Sequence, residues 1–135
     1  MRTGRIAVDT SALVAVLFAE PDAGVYADAL ARHAGDCSLS ASTLVESRIV
    51  VESRLGPDGN HLLTVMLERL SMAIVPLDSE LAERAAAAWR RFGKGRHPAR
   101  LNMGDCFSYA LAQHFDVPLL FKGDDFGQTD IASVL

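Results

Sequence analysis

The stretch Ile6-Ala7-Val8-Asp9-Thr10-Ser11-Ala12-Leu13 decides the fold of this chain. Its first three residues form a short apolar, partly β-branched run, which is typical of a strand, and the change to polar residues is abrupt. The apolar run that follows predicts a helix, which Thr10 or Ser11 would cap by accepting a backbone N–H. A strand that leads directly into a helix in this way indicates an α/β domain.

Strand and helix patterns alternate along the rest of the chain. Further strands are predicted around 37–40, 72–77, 117–121 and 130–134. Helices are predicted at 22–34, 43–54, 57–70, 79–92 and 103–115. Asp78 and Asn102 are placed to cap the last two helices, and the apolar stretch 72–77 is expected to be buried on both faces. The alternation predicts one α/β domain over residues 1–135, with a mostly parallel sheet of four to five strands.

The composition fits a folded domain and excludes several classes of protein. Hydrophobic residues make up 50% of the 135 residues, and a chain of this length buries roughly two-thirds of its unfolded surface. The 13 basic and 17 acidic residues give a net charge of −4, which argues against a protein that binds nucleic acid by overall charge. The longest apolar run, 12–19, is far shorter than the ~20 residues of a membrane helix. Cys37 and Cys106 lack the spacing of a disulfide framework or zinc site, so we expect a cytoplasmic protein.

Carboxylates stand at the places where α/β sheets bind ligands, which is outside the carboxyl ends of the strands. Asp9 follows the first predicted strand, and Asp124-Asp125 follow the fourth. Glu46 and Asp105 lie in the first turns of two predicted helices. Clustered carboxylates destabilise one another unless a cation compensates their charge, and oxygen ligands suit Mg²⁺ or Mn²⁺. Such an ion activates water beside a scissile phosphate, so the pattern favours phosphodiester hydrolysis.

Each acid also has a purely structural interpretation. Thr43-x-x-Glu46 fits a capping box, and Asn102-x-x-Asp105 fits one with a shorter acid. Asp9 could simply end a strand, and Asp124-Asp125 could form a turn by bonding its own backbone. On spacing alone, the structural interpretation and the metal site both stay open.

Several stretches of the sequence, in order, carry a family resemblance: Val8 to Leu13, Glu46, Leu101 to Ala110 and Leu119 to Phe126. They resemble PIN domains and, more narrowly, the VapC-type toxin ribonucleases of bacterial toxin–antitoxin pairs, from near residue 6 to near residue 132. The resemblance implies a three-layer α/β/α fold and an endoribonuclease that uses Mg²⁺ or Mn²⁺. It also implies inhibition by a cognate VapB-type antitoxin and a homodimer.

The resemblance assigns roles to residues of this chain. The first three acids of the family pattern are matched by Asp9, Glu46 and Asp105. Many PIN domains carry the fourth acid where Gly123 stands here, so Asp124 or Asp125 must replace it, and Asp124 is preferred. Thr10 matches the small hydroxyl residue that helps to hold the metal or the substrate phosphate in such sites.

A basic stretch lies within the acidic chain. From Arg84 to Gly104 there are six basic residues and no acidic ones. Two glycines and a proline at its centre predict a mobile loop, from which Lys94, Arg96 and Arg100 would contact the RNA backbone. The alternative is a solvated helix end, where cations are favoured. Lys122, next to the acids, would bind phosphate or offset their charge.

Two other functions stay open on the sequence. One is a phosphoacceptor or phosphatase-like domain, with Asp9 or Asp78 as the covalent site and Lys122 as its phosphate partner. A haloacid-dehalogenase-like motif would place a second acid where Ser11 stands. The other is a binding module that has kept the fold without catalysis.

Overall fold

A parallel four-stranded sheet lies at the centre of the structure, a computed structural model that describes residues 5–135. Its strands are β1 Ile6–Val8, β2 Cys37–Ser40, β3 Ala73–Val75 and β4 Leu119–Leu120. The order in the sheet is β3-β2-β1-β4, with Ala7 of β1 opposite Ser38 and Leu119. Because all pairs are parallel, the carboxyl ends of the strands lie at one edge.

Helices cover both faces of the sheet. They are α1 Thr10–Leu17, α2 Ala23–Arg32, α3 Ala41–Arg69, α4 Ser79–Phe92 and α5 Met103–Phe115, followed by a 3₁₀ helix, Phe126–Gln128. The first three pack on the face that shows Ile6 and Val8, and the last two pack on the face that shows Ala7. Alternate residues of a strand point to opposite faces, so β1 supplies both cores. The three-layer α/β/α fold is therefore confirmed.

The long helix α3 bends where the sequence predicts a boundary between two helices. Gly56 has φ 74°, which favours glycine, and Pro57 opens the second arm, where its missing N–H is tolerated. Arg48 in the first arm donates to Asn60 at 2.5 Å and to Thr64 at 3.1 Å in the second. The two arms therefore lie side by side.

Both edges of the sheet differ from the prediction. The third strand is not buried on both faces: it forms an edge of the sheet, and Ile74 is 41% exposed. At the other edge, 130–134 does not form a strand but reduces to one parallel bridge between Leu119 and Ser133. Strand order, which no local pattern contains, decides both outcomes.

The N-cap of α1 is Asp9, not Thr10 or Ser11. The Asp9 side chain accepts the Ser11 N–H at 3.0 Å, and its extended backbone, with φ −97° and ψ 156°, is typical of an N-cap. Thr10 is already the first helical residue and is buried. One of the predicted site acids thus begins the helix that follows β1.

In the part of the chain that the structure describes, no helix has the combination of length and apolar character that crossing a bilayer requires. The apolar run 12–19 of the sequence contributes to α1, and Ala12, Leu13 and Ala15 are buried in the core.

Candidate active site

Asp9 lies at the carboxyl end of the central strand, where its N–H donates to the Leu120 carbonyl of β4 at 3.0 Å. The residue is only 4% exposed. Its Oδ2 accepts the N–H and the hydroxyl of Ser11, at 3.0 and 2.6 Å, and its Oδ1 accepts the Ser108 hydroxyl at 2.5 Å. These neutral donors satisfy the buried carboxylate and fix its direction.

Glu46 is held against the same region by Thr10. The Thr10 hydroxyl donates to Glu46 Oε1 at 2.7 Å and lies 2.9 Å from the Ser47 hydroxyl. Since the Thr10 hydroxyl has one hydrogen, Ser47 donates to it. Burial raises the pKa of Glu46, the bond from Thr10 opposes the rise, and the charge of Asp9 adds to it.

The capping box considered for Thr43 and Glu46 does not form. The N-cap of α3 is Ser40, whose hydroxyl accepts the Ser42 N–H at 3.3 Å, so the helix begins before Thr43. Glu46 turns instead toward Thr10. The capping-box interpretation of Glu46 is therefore wrong.

Asp105 does form a capping box. Its N–H donates to Asn102 Oδ1 at 2.9 Å, and the Asn102 N–H donates to Asp105 Oδ2 at 3.0 Å. Burial, together with the charges of Asp9, Asp125 and Glu46, raises the pKa of Asp105 to about 6, while the bond from the Asn102 N–H opposes the rise. The charges of these carboxylates therefore act on one another. Asp105 belongs both to the helix cap and to the acid cluster.

Gly104 brings α5 against α3. A Cβ at this position would lie 2.1 Å from Glu46 Oε2, so any larger residue would require that carboxylate to move. Gly104 was not among the predicted site residues. Its signal is a glycine directly before an acid in the first turn of a helix.

Two hydroxyls that support the acids, Ser108 directly and Ser47 through Thr10, were not predicted. Ser108 follows Asp105 by three residues on α5, and Ser47 follows Glu46 directly on α3. Both are fully buried. A small hydroxyl residue on a buried helix face close to a candidate acid is the signal that could have found them.

The donor set fits a hard divalent cation in type. Every charged group in the cluster is a carboxylate, and Mg²⁺ and Mn²⁺ prefer such oxygens. The charges of Asp9, Asp125 and Glu46 each raise the pKa of Asp105, so negative charge accumulates around this carboxyl group. Among residues 5–135, however, no three His, Cys, Asp or Glu side chains stand in an arrangement ready to hold an ion. Holding one would require these carboxylates to move.

The two candidates for the fourth acid lie in the turn after β4, where Gly123 has φ 109°. Asp124 and Asp125 are both exposed. The charge of Asp125 acts on Asp105 and is named among the causes of its raised pKa. This electrostatic link favours Asp125 over Asp124, which the sequence interpretation preferred.

Lys122 contacts the neighbourhood of Asp9 through its backbone. Its N–H donates to the Ser11 hydroxyl at 3.0 Å. Its ammonium contacts Asp22 at 2.8 Å and Glu20 at 2.9 Å, and these two carboxylates raise its pKa to about 12. A role for this side chain in binding substrate stays a prediction.

The basic loop, residues 93–101, is closed rather than open. Gly93 and Leu101 form a parallel bridge, and the Lys94 N–H donates to the Leu101 carbonyl at 3.0 Å. Ala99 is fully buried, and its N–H donates to His97 Nδ1 at 3.0 Å. The backbone hydrogen bonds and the buried Ala99 hold this segment against the rest of the fold. Its glycine and proline content alone had predicted a mobile loop.

The cations of the basic loop are presented to solvent. Lys94, Arg96 and Arg100 are exposed, and the Arg96 guanidinium lies 4.3 Å from the centre of the Trp89 ring. The segment leads directly into Asn102, the cap of α5. Positive charge thus precedes the helix that carries Asp105.

Other groups singled out in the sequence have structural roles. Cys37 and Cys106 are free and buried. Burial, with the charge of Asp105, raises the pKa of Cys106 to about 11, so this thiol stays protonated at neutral pH. Asp78 accepts the Leu81 N–H at 2.9 Å as the N-cap of α4, as predicted.

Two apolar grooves lie on the surface. The groove beside Glu46 has a volume of about 400 Å³ and is lined by apolar side chains of α3 and α5, where Ile49 is 62% and Met103 74% exposed. The second, of about 620 Å³, lies between α1, α2 and the second arm of α3, and Leu17, Leu62 and Met66 line it. We call them the α3–α5 groove and the α1–α2 groove.

A family model and several known proteins match nearly the whole chain. The model described as PIN domain matches residues 6–132. A protein of Mycolicibacterium smegmatis named Ribonuclease VapC is 50% identical over 127 residues, which cover 94% of this chain and 98% of that protein. The fold resembles Mycobacterium tuberculosis VapC20, described as a Sarcin-Ricin loop cleaving toxin, with a TM-score of 0.79, 19% identity and coverage of 96% and 98%. It also resembles a toxin–antitoxin complex from Klebsiella pneumoniae, with a TM-score of 0.67, 18% identity and coverage of 93% and 92%.

Proposed function

Because the chain belongs to the PIN domain family, we propose that it is the toxin endoribonuclease of a VapBC-type toxin–antitoxin pair. The observation that carries the proposal is the convergence of Asp9, Glu46 and Asp105 at the carboxyl edge of the sheet, where their charges act on one another. The relative from Mycolicibacterium smegmatis that is 50% identical and named a ribonuclease supports the proposal. The reaction is hydrolysis of RNA phosphodiester bonds.

Asp9, Glu46 and Asp105 would hold a divalent cation, Mg²⁺ or Mn²⁺, with Asp125 or Asp124 as the fourth acid. Such an ion stabilises charge on the phosphate and supplies an activated water. Thr10 keeps Glu46 at the site through its 2.7 Å bond. The protein would therefore contribute two carboxylates that hydroxyl groups already hold, Asp9 and Glu46, beside Asp105, which the Asn102 N–H holds.

The basic loop would position the RNA backbone. Lys94, Arg96 and Arg100 precede the cap of α5, and contacts from such cations to phosphates position a substrate without reading its sequence. Each phosphate contact to single-stranded RNA adds about 0.7 to the slope of log affinity against log salt. Replacing Lys94 and Arg100 by alanine should lower that slope by about 1 to 1.5, as measured by binding of a labelled RNA to the Asp105→Asn protein in EDTA.

A cognate VapB-type antitoxin and a second copy of the chain are the protein partners in this proposal. The two apolar grooves supply surfaces for them, because exposed apolar patches of this kind mark interaction sites. Ile49→Glu would test the α3–α5 groove, and Leu62→Glu would test the α1–α2 groove. Light scattering gives the oligomeric state of each variant, and co-purification gives antitoxin binding. If neither variant changes either property, the grooves are not the partner surfaces.

One experiment tests enzyme, substrate and partner together. The chain is expressed alone and with the reading frame encoded beside it, and the RNA ends produced in the cell are sequenced. New ends that appear only without the neighbouring protein, and that disappear in Asp9→Asn, are the expected result. Unchanged cleavage by purified protein in excess EDTA would contradict the metal-dependent mechanism.

A further inference from the structure

A chain of buried polar groups links the three elements that carry the acids. The Ser108 hydroxyl of α5 donates to Asp9 Oδ1 at 2.5 Å. The Thr43 hydroxyl of α3 lies 3.4 Å from the Ser108 hydroxyl. Ser108 and Thr43 are both fully buried, and Asp9 is nearly so. Side chains from all three elements are therefore linked by hydrogen bonds beside the acid cluster.

The direction of these bonds follows from their chemistry. The single hydrogen of the Ser108 hydroxyl is donated to Asp9, so the Thr43 hydroxyl must donate to the Ser108 oxygen. Thr43 precedes Glu46 by three residues on α3, and Ser108 follows Asp105 by three on α5. Residues three apart on a helix lie on the same face, so each hydroxyl sits one turn from an acid.

The two oxygens of Asp9 are held differently. Ser11, which binds Oδ2, lies in the first turn of the helix that Asp9 itself caps. Ser108, which binds Oδ1, comes from α5 on the opposite face of the sheet. The bond from Ser11 is therefore local, whereas the bond from Ser108 sets the carboxylate of Asp9 relative to the helix of Asp105.

We propose that Ser108 is a positioning residue for the cation-binding site: its hydroxyl directs the Asp9 carboxylate, and Thr43 braces Ser108. The inference rests on the proposed function, since it concerns the same acids. An alanine would fill the space of Ser108 in the core, but it would leave Asp9 Oδ1 without this donor. Loss of a group that hydrogen-bonds a metal ligand commonly weakens metal affinity by about 10–100-fold.

The test is a calorimetric titration of the purified full chain with Mg²⁺ alone. Ser108→Ala should weaken Mg²⁺ binding by about tenfold or more. It should also raise the Mg²⁺ concentration that gives half-maximal RNA cleavage, and high Mg²⁺ should restore much of the rate. Thermal unfolding in EDTA shows whether the variant is folded. A purely structural role would lower that unfolding temperature without moving the Mg²⁺ requirement.

Ser38→Ala is the matched control. The Ser38 hydroxyl donates to the Ile6 carbonyl at 3.2 Å within the sheet, away from the acids, so its loss should leave Mg²⁺ binding unchanged. Thr43→Val removes the bracing hydroxyl at nearly constant volume, and Thr43→Ser keeps it. We expect a smaller loss for valine than for Ser108→Ala, because 3.4 Å is a long bond, and wild-type binding for serine.

The outcomes separate this inference from the proposed function. Wild-type Mg²⁺ affinity in folded Ser108→Ala overturns the inference while leaving the ribonuclease intact. Should Ser108→Ala fail to fold, equal affinities in Thr43→Val and Thr43→Ser overturn it, and weaker binding by valine alone supports it. If the wild-type protein binds no divalent cation and cleaves no RNA, the proposed function itself fails.

Discussion

The acid at the end of β1 and the acid at the start of α5 are supported in opposite ways. Asp9 is the more deeply buried, yet it accepts three hydrogen bonds from Ser11 and Ser108. Asp105 accepts one, from the Asn102 N–H, and is exposed to the charges of other acids. The Asp9 carboxylate is thus already oriented by hydrogen bonds, whereas the Asp105 carboxylate lacks a positive charge to offset the neighbouring acids. A cation would stabilise the α5 side most.

The largest effect should come from removing either charge. A metal ion supplies several kcal/mol of transition-state stabilisation, and ~1.4 kcal/mol corresponds to a factor of ten in rate. Asp9→Asn and Asp105→Asn should each lower RNA cleavage by about 1000-fold, measured on a labelled RNA in saturating Mg²⁺. Full activity in either variant would remove that acid from the site.

The stability of the same two variants should separate them in EDTA. Asp9→Asn places an amide donor against hydroxyl donors in a buried site, which costs about 1–3 kcal/mol. Asp105→Asn keeps an acceptor for Asn102 and removes a repelled charge, so its free energy of unfolding should rise. Chemical unfolding measures both. Equal losses of unfolding free energy in the two variants would contradict the difference in support between Asp9 and Asp105.

Gly104→Ala should have the next largest effect on activity. Its Cβ would lie 2.1 Å from Glu46 Oε2, so the carboxylate must move. A misplacement of about 1 Å at an active site costs about 100-fold in rate, and this loss is expected in the cleavage assay. Gly24→Ala is the control, since nothing lies within 4 Å of its added Cβ. Equal rates for both variants would show that the position of Glu46 is not critical.

The two candidates for the fourth acid can be ranked. Asp125→Asn should lower cleavage by about tenfold and reduce the pKa of Asp105, because Asp125 is among the charges that raise it. Asp124→Asn should leave the pKa of Asp105 as it is, which carboxyl NMR titration can follow in both variants. The reverse ranking would restore Asp124 as the fourth acid.

The stability of the metal-free protein should also depend on pH. The pKa of Asp105 is raised from 3.8 to about 6 on folding, so the folded state holds a proton that the unfolded state has lost in this range. The unfolding free energy therefore falls as pH rises from about 4 to above 6. Wild type should lose more over this range than Asp105→Asn, and Mg²⁺ at neutral pH should restore the loss. Identical pH profiles would contradict the assignment.

Local signals predicted the elements that begin and end with distinctive residues. The strand before Asp9, the caps at Asp78 and Asn102, and the break at Gly56 are all found. Strand order was beyond such signals, and β3 was therefore placed in the interior although Ile74 is exposed. Patterns within a few residues do not record which strand lies at an edge.

The candidate site divides in the same way. The acids could be predicted because strand ends and helix starts are visible in the sequence. The partners that hold them could not, since Ser108 and Asp9 meet across most of the chain. Lys122 shows the same limit: it lies beside the acids in sequence, yet its ammonium contacts Glu20 and Asp22. Only the fold decides such pairings.

The central place of β1 has a consequence for folding kinetics. Ala7 pairs with Leu119, so the sheet is complete only after the two ends of the chain have met. Closing such a long loop has a large entropic cost, and contacts of this range form slowly. Asp9 and Asp105 are brought together by the same closure. A nascent chain that stops before α5 therefore lacks Asp105, so the acid cluster assembles only after residues 103–115 have been made.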